Sequence, residues 1–193
     1  MGGCANRTQP MTTEPTTQLD SIIRDSLTHF AADALGSGWC GKEHDWVNRF
    51  AHSYLLQHCV NDTLLHDPGQ LAIDVGVPQP PGYDRSATRR DLVIWARPAL
   101  TCWDSEWNPT HHPLAIVEWK VHRPNRRNRD QAQEREWLTR YTLWQPGRIA
   151  YAVEVNLACS PTTLTCSRFQ DGVQCQKWLH IKERPESHEQ SNP

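Results

Sequence analysis

Two short apolar runs constrain this chain more than any other feature: Arg90-Asp91-Leu92-Val93-Ile94-Trp95 and Leu114-Ala115-Ile116-Val117-Glu118-Trp119-Lys120. β-branched and aromatic residues dominate both, and proline or glycine lies nearby, which is the pattern of buried strands. Asp91 opens the first run, and Glu118 and Lys120 close the second. If the two pair as an antiparallel hairpin, the start of one strand lies beside the end of the other. Asp91 then meets Glu118 and Lys120. Residues i and i+2 share one face of a strand, so Glu118 and Lys120 point together and Trp119 points to the opposite side. The expectation is two carboxylates and an ammonium at the rim of an apolar sheet, a set that can hold a divalent cation and a water. The plainer reading of an Asp followed by Glu-x-Lys is solvated charge at strand ends. The strongly apolar strands that both acids border favour the site.

The rest of the chain reads as alternating elements. Apolar residues at Leu19, Ile22, Ile23, Leu27, Phe30, Ala31 and Ala34 have helical spacing over 19–35, closed by Gly36-Ser37-Gly38. A second helix is expected over 42–59, burying Trp46, Val47, Phe50, Ala51, Tyr54 and Leu55. A strand over 70–77 follows, then the two opening strands with a Trp-rich loop between them. Asp130 can cap a third helix to about Leu143, with Trp137, Leu138, Tyr141 and Thr142 inward. A fourth strand is expected over 149–157. Two more, over 164–169 and 176–181, form a closing hairpin around the turn signal Asp171-Gly172. The plan is α/β, one sheet with helices on its faces. Residues 1–18 and 183–193 are polar and are expected to be disordered tails around a single domain, 19–182.

A chain of 193 residues suffices for one core. Its net charge of −2 announces no nucleic-acid partner. The charge is uneven, however. Arg123, Arg126, Arg127 and Arg129 crowd one segment after Lys120, and Arg85, Arg89 and Arg90 lead into Asp91. Seven cysteines, an odd count with no C-x-x-C spacing, argue against a disulfide framework and a structural zinc site. Met1-Gly2-Gly3-Cys4 has no apolar run, so no signal peptide is expected, and no run is long enough to span a membrane. A cytoplasmic location is the expectation.

These residues suit phosphodiester hydrolysis, which must activate a water, stabilise developing negative charge and neutralise the leaving oxygen. Mg²⁺ or Mn²⁺ on hard oxygen ligands can bridge phosphate and water. Asp91, Glu118 and the backbone carbonyl of Trp119 are the expected metal ligands. Lys120 would hold the attacking water or offset phosphate charge. Glu43, in the first turn of the second helix, can complete the set or merely complement the helix dipole. The arginines, Arg90 included, would contact the nucleic-acid backbone or be solvated. Glu154 and Asp74 alternate with apolar neighbours and are expected to face outward, with a role at the edge of the site as the alternative. His111 and His112 are expected at the surface. Of the nine tryptophans, only Trp103 and Trp107 invite a stacking role.

Helix with Glu43, Asp91 opening a strand, Glu118-Trp119-Lys120 closing the next, then helix and strand: over roughly residues 40–157 this order resembles the restriction-endonuclease-like PD-(D/E)XK nuclease superfamily. The resemblance implies a central four-stranded mixed sheet flanked by helices, with the C-terminal β-hairpin as an addition. It also implies Mg²⁺-dependent cleavage of nucleic acid, DNA ahead of RNA and endonuclease ahead of exonuclease. Asp91, Glu118 and Lys120 match the superfamily's catalytic trio, and Glu43 its helix acid. Arg90 stands where the motif has Pro. The Gln-x-x-x-Tyr signature of the RecB-like branch is missing, since Arg135 follows Gln131 and Trp137 follows Gln133 at that spacing. The rival reading is a nucleic-acid-binding or scaffolding module that keeps the fold without the chemistry. A carboxylate-pair glycosidase leaves Lys120 unexplained. A homodimer, paired through the edge of strands 164–181, would serve duplex cuts; the alternative is a larger protein partner, which, like the loops, could supply sequence specificity.

Overall fold

The apolar runs do become strands of one sheet. The computed structural model describes residues 13–124 and 131–183. The order is α1 (Thr13–Ala34), α2 (Glu43–Phe50), β1 (Leu71–Pro78), β2 (Ala87–Ile94), β3 (Ala115–His122), α3 (Ala132–Trp144), β4 (Ile149–Asn156), β5 (Thr163–Gln170) and β6 (Val173–Lys182). All six strands form one mixed sheet in sequential order. Only β3 and β4 are parallel, with α3 in the crossover between them. No helix among the described residues is long and apolar enough to cross a membrane.

Helices on the two faces bury two separate cores. On one side α1 and α2 cover Leu92, Ile94, Val117, Trp119, Tyr151 and Val153. On the other, Trp137, Leu138 and Tyr141 of α3 cover Val93, Trp95, Ile116 and Ala150. The inward residues expected of all three helices are buried. Phe30 is the hub of the first core. Its ring centroid lies 5.3–5.8 Å from those of Trp46, Phe50, Tyr54 and Trp119, all edge-on. Asp20 ties α1 to the sheet, accepting from Tyr151 Oη and Arg168 Nε, each at 2.7 Å.

Several expectations need correction. Helix α1 begins at Thr13, so the expected tail boundary at residue 18 is too late. Its first turns already carry the buried Thr16. Residues 1–12, 125–130 and 184–193 lie outside the described residues, and with them the tail ends and the Asp130 cap; α3 begins after Gln131. Beyond Phe50, α2 widens into one π-helical turn over Ala51–Leu55 and tightens over Leu56–His58. The closing hairpin, expected as an addition to a four-stranded core, continues the same sheet as its fifth and sixth strands and docks on α3. Asp171 and Gly172 both have positive φ, as a two-residue turn of this hand requires. The Gly172 N–H donates to Thr142 Oγ1 at 3.2 Å, and Leu143 packs where a Cβ on Gly172 would stand. His112 is half-buried against Tyr141 and Trp144, not at the surface, and burial lowers its pKa to about 4.

One buried polar side chain locks the entry to β1. Gln70 is fully buried and makes four hydrogen bonds to main chain. Its Oε1 accepts from the N–H groups of His66 and Asp67, and its Nε2 donates to the carbonyls of Leu64 and Trp95. Gln70→Leu keeps the volume and orphans those groups. Urea denaturation should show a loss of about 2–4 kcal/mol, from the usual cost of unpaired buried groups; an unchanged midpoint would show that the loop re-pairs without Gln70.

Candidate active site

Strands β2 and β3 pair as expected, Leu92 with Val117, Val93 with Ile116 and Ile94 with Ala115, and the ladder stops one step before Asp91 and Glu118. From that point the Asp91 side chain replaces the sheet. Its Oδ2 accepts the Trp119 N–H at 2.8 Å. In an extended strand the N–H and C=O of one residue point the same way, so the Trp119 carbonyl also faces this fork. The fork coincides with a change of phase. On β1, Leu71 and Ile73 pack against the α1/α2 core, but Val75 and Val77 against the α3 core. Asp74, between them, has φ 56°. On β2, Leu92 and Ile94 face α1 and α2, yet the Arg90 guanidinium lies 3.6 Å from the Trp137 ring centroid of α3. Both strands turn over at Asp74 and Asp91.

The fork gathers side chains from four elements. Glu43 begins α2. Asp45 accepts the Lys42 N–H at 2.6 Å and so serves the helix end, while Glu43 reaches to β3. There Glu43 Oε1 stands 3.6 Å from Lys120 Nζ, and Oε2 accepts the Val121 N–H at 3.3 Å. From the opposite layer, Glu134 Oε1 accepts from Lys120 Nζ at 3.3 Å. Glu118 Oε1 lies 3.1 Å from Arg90 Nη1, and these side chains are only 10% and 7% exposed. The four residues of the expected catalytic set, Asp91, Glu118, Lys120 and Glu43, therefore converge. Glu134 joins them unannounced. It sits one turn into the helix after Lys120, and the reasoning that singled out Glu43, an acid in the first turn of a neighbouring helix, would have found it.

The electrostatics show what the cluster lacks. Burial pushes the Asp91 carboxyl up; the Trp119 N–H pulls it back, Glu43 raises it again and Lys120 lowers it. Burial raises Glu118 to about 8, because Arg90 offsets only part of the cost while Asp91 and Glu134 add to it. Burial pulls Lys120 down, but Glu134 and Glu43 outweigh it and hold the ammonium above the ordinary lysine value. Arg90 is set against Glu118 and the single charge of Lys120 is shared by Glu43 and Glu134, so the four carboxyl groups of Asp91, Glu118, Glu43 and Glu134 meet two cations at the fork. Oxygen ligands with excess negative charge suit Mg²⁺ or Mn²⁺. Among the described residues, no three His, Cys, Asp or Glu side chains form a metal cage by themselves. Mg²⁺ does not need one, since one or two carboxylates with waters and substrate phosphate commonly hold it.

The other predicted residues fall elsewhere. Arg90 is buried under Trp137, so it neutralises Glu118 and does not present itself to a nucleic-acid backbone. Arg123 is partly buried and donates to the Gly41 carbonyl. Arg126, Arg127 and Arg129 lie outside the described residues. Glu154 faces α3, not solvent, and pairs with Arg135. Asp74 does face outward, paired with Arg89. Trp103 packs on β1 and donates to the Gly76 carbonyl at 3.0 Å. Trp107 stands 77% exposed on a turn held by Asp104.

The Arg90–Glu118 pair yields a stability test in metal-free buffer. Glu118 holds a proton up to about pH 8 when folded and loses it near the ordinary glutamate value, about 4.3, when unfolded. Stability should therefore fall as pH rises between those values. Arg90→Leu removes the cation that lowers Glu118 and should extend the fall to higher pH, where the stranded carboxylate would cost about 3–5 kcal/mol once it ionises. Adding Glu118→Gln should flatten it. Denaturant midpoints from pH 5 to 9 that show the same slope in all three proteins would rule out this coupling.

Comparison with known proteins finds no matching family model, no matching curated protein and no matching solved structure.

Proposed function

We propose that this chain is a metal-dependent nuclease that hydrolyses phosphodiester bonds of nucleic acid, with DNA the first substrate to try, RNA the second, and internal cleavage the expected mode. One observation carries the reading: Asp91, Glu118, Lys120 and Glu43, from three separate elements, meet at the fork of β2 and β3. The restriction-endonuclease-like arrangement of β1–β4 with α2 and α3 belongs to the same reading. So does a cytoplasmic location, with which six free cysteines among the described residues agree.

Asp91, Glu118 and the Trp119 carbonyl would hold the divalent cation, which when bound polarises the phosphate and makes water a stronger nucleophile. The chain's own residues do the rest. The Trp119 N–H fixes one Asp91 oxygen. Trp119, buried in the aromatic core, fixes the backbone between Glu118 and Lys120. Lys120 keeps its proton, so it acts as a cationic donor to water or phosphate oxygen and not as a base. Arg90 keeps the buried Glu118 site from being wholly anionic before the cation arrives.

A second reading, a silent binding module with the same fold, draws on one observation. Arg90 already engages a Glu118 oxygen, and an ion pair there can replace a metal.

The test is cleavage of mixed DNA and RNA with Mg²⁺ or Mn²⁺, with melting curves to confirm folding of each variant. Wild type should cleave, and Asp91→Asn and Lys120→Ala should each lose roughly a hundredfold or more. Mg²⁺ should raise the melting temperature of wild type and not of Asp91→Asn. Nucleic-acid binding without cleavage, equal in wild type and variants, would favour the silent module.

A further inference from the structure

Resting on the nuclease reading, we propose that Glu134 is a positioning residue of the site: from α3 it holds the Lys120 ammonium opposite Glu43, and so sets where that ammonium meets the scissile phosphate.

The argument begins with the two layers. Helices α2 and α3 lie on opposite faces of the sheet, and Lys120 is bridged to both, by Glu43 at 3.6 Å and Glu134 at 3.3 Å. A lysine side chain is long, with several rotatable bonds, and tethering to a single carboxylate leaves it free to swing. Two tethers from two rigid layers fix Nζ in space. The ammonium has three N–H donors. Glu134 takes one and Glu43 faces a second, which leaves one for a substrate oxygen. The side chain is 18% exposed, and it borders a small open cleft of about 10 Å³ lined also by Glu118, Glu134, Arg135 and Glu154, room for about one water.

Glu134 is itself held. The next residue, Arg135, pairs with Glu154 of β4. Glu154 lies beside Lys120 in the β3–β4 register. The first turn of α3 is thus tied to the sheet by polar bonds, while its later turns are tied by Trp137, Leu138 and Tyr141. The competing explanation is that Glu134 simply complements the N-terminal dipole of α3. That role predicts a loss of stability and no effect on turnover.

The experiment measures kcat and KM of Mg²⁺-dependent DNA cleavage for wild type, Glu134→Gln and Glu134→Asp, with Glu136→Gln as a control on the same helix. Melting curves and the Lys120 Nζ proton–nitrogen NMR signal are recorded for each. Glu134→Gln should lower kcat roughly tenfold to a hundredfold, as misplacement by about 1 Å does, with KM within about twofold. The Lys120 signal should broaden as its protons exchange faster. Glu134→Asp, which keeps the charge, should recover part of kcat, and Glu136→Gln should match wild type. Wild-type kcat and an unchanged Lys120 signal in a folded Glu134→Gln protein would overturn the proposal while leaving the nuclease reading intact. Absence of cleavage by wild type would overturn both.

Discussion

The hydrogen bond from the Trp119 N–H to Asp91 Oδ2 is the contact on which the site depends. A sheet would ordinarily pair that N–H with the backbone of β2. Here the ladder ends at Leu92 and Val117, and a side chain completes the bond. The two strands can therefore separate without leaving a buried donor unpaired, which would cost about 1–3 kcal/mol. The same bond aims the carboxylate of Asp91 at the strand that carries Glu118 and Lys120. Fold and chemistry share one atom pair, so β2 and β3 cannot zip further without losing the position of the acid.

The aromatic core does the complementary half of the work. Trp119 packs on Phe30 and Phe50, with centroids 5.3 and 5.1 Å apart. A strand residue so fixed forces its neighbours to the other face. Glu118 and Lys120 thereby face α3, where apolar packing gives way to Arg90, Glu134 and Arg135. Close carboxylates in a half-buried cleft oppose folding, and the raised Glu118 shows the strain in its affinity for a proton. Such clusters concentrate where function demands them. A metal ion would relieve the repulsion that the apolar cores otherwise sustain.

Much of this was legible in the sequence, for identifiable reasons. The strands announced themselves by β-branched runs, and the α1 and α2 faces by apolar residues three and four apart. The strict period of two predicted that Glu118 and Lys120 share a face. What the sequence hid was where that period fails. Asp74 adopts a left-handed backbone conformation, and nothing in Ile73-Asp74-Val75 tells a turnover from simple alternation. Arg90 precedes Asp91 and so reads as a nucleic-acid contact or solvated charge, yet the turnover carries it under Trp137. Glu154 alternates with apolar residues and so looked solvated. It faces a helix, and its charge is met by Arg135, a partner 19 residues away. Glu134 lies in the first turn of its helix, as Glu43 does, so the signal that marked Glu43 was present for Glu134 as well.

The edges of the sheet bear on how copies of the chain could associate. An edge strand pairs with another chain when it is long, flat and regular. Strand β6 is none of these in its middle. Its register with β5 shifts between Cys166 and Arg168, and Lys177 has φ 50° at that point. The bulge splits the edge into two short stretches and places a lysine between them. Strand β1, the other edge, is broken by Asp74 and ends at Pro78, which has no N–H to offer. Both edges thus carry the features that discourage strand addition. If paired duplex cuts need two copies, the pairing described by edge-to-edge strands is the least favoured route.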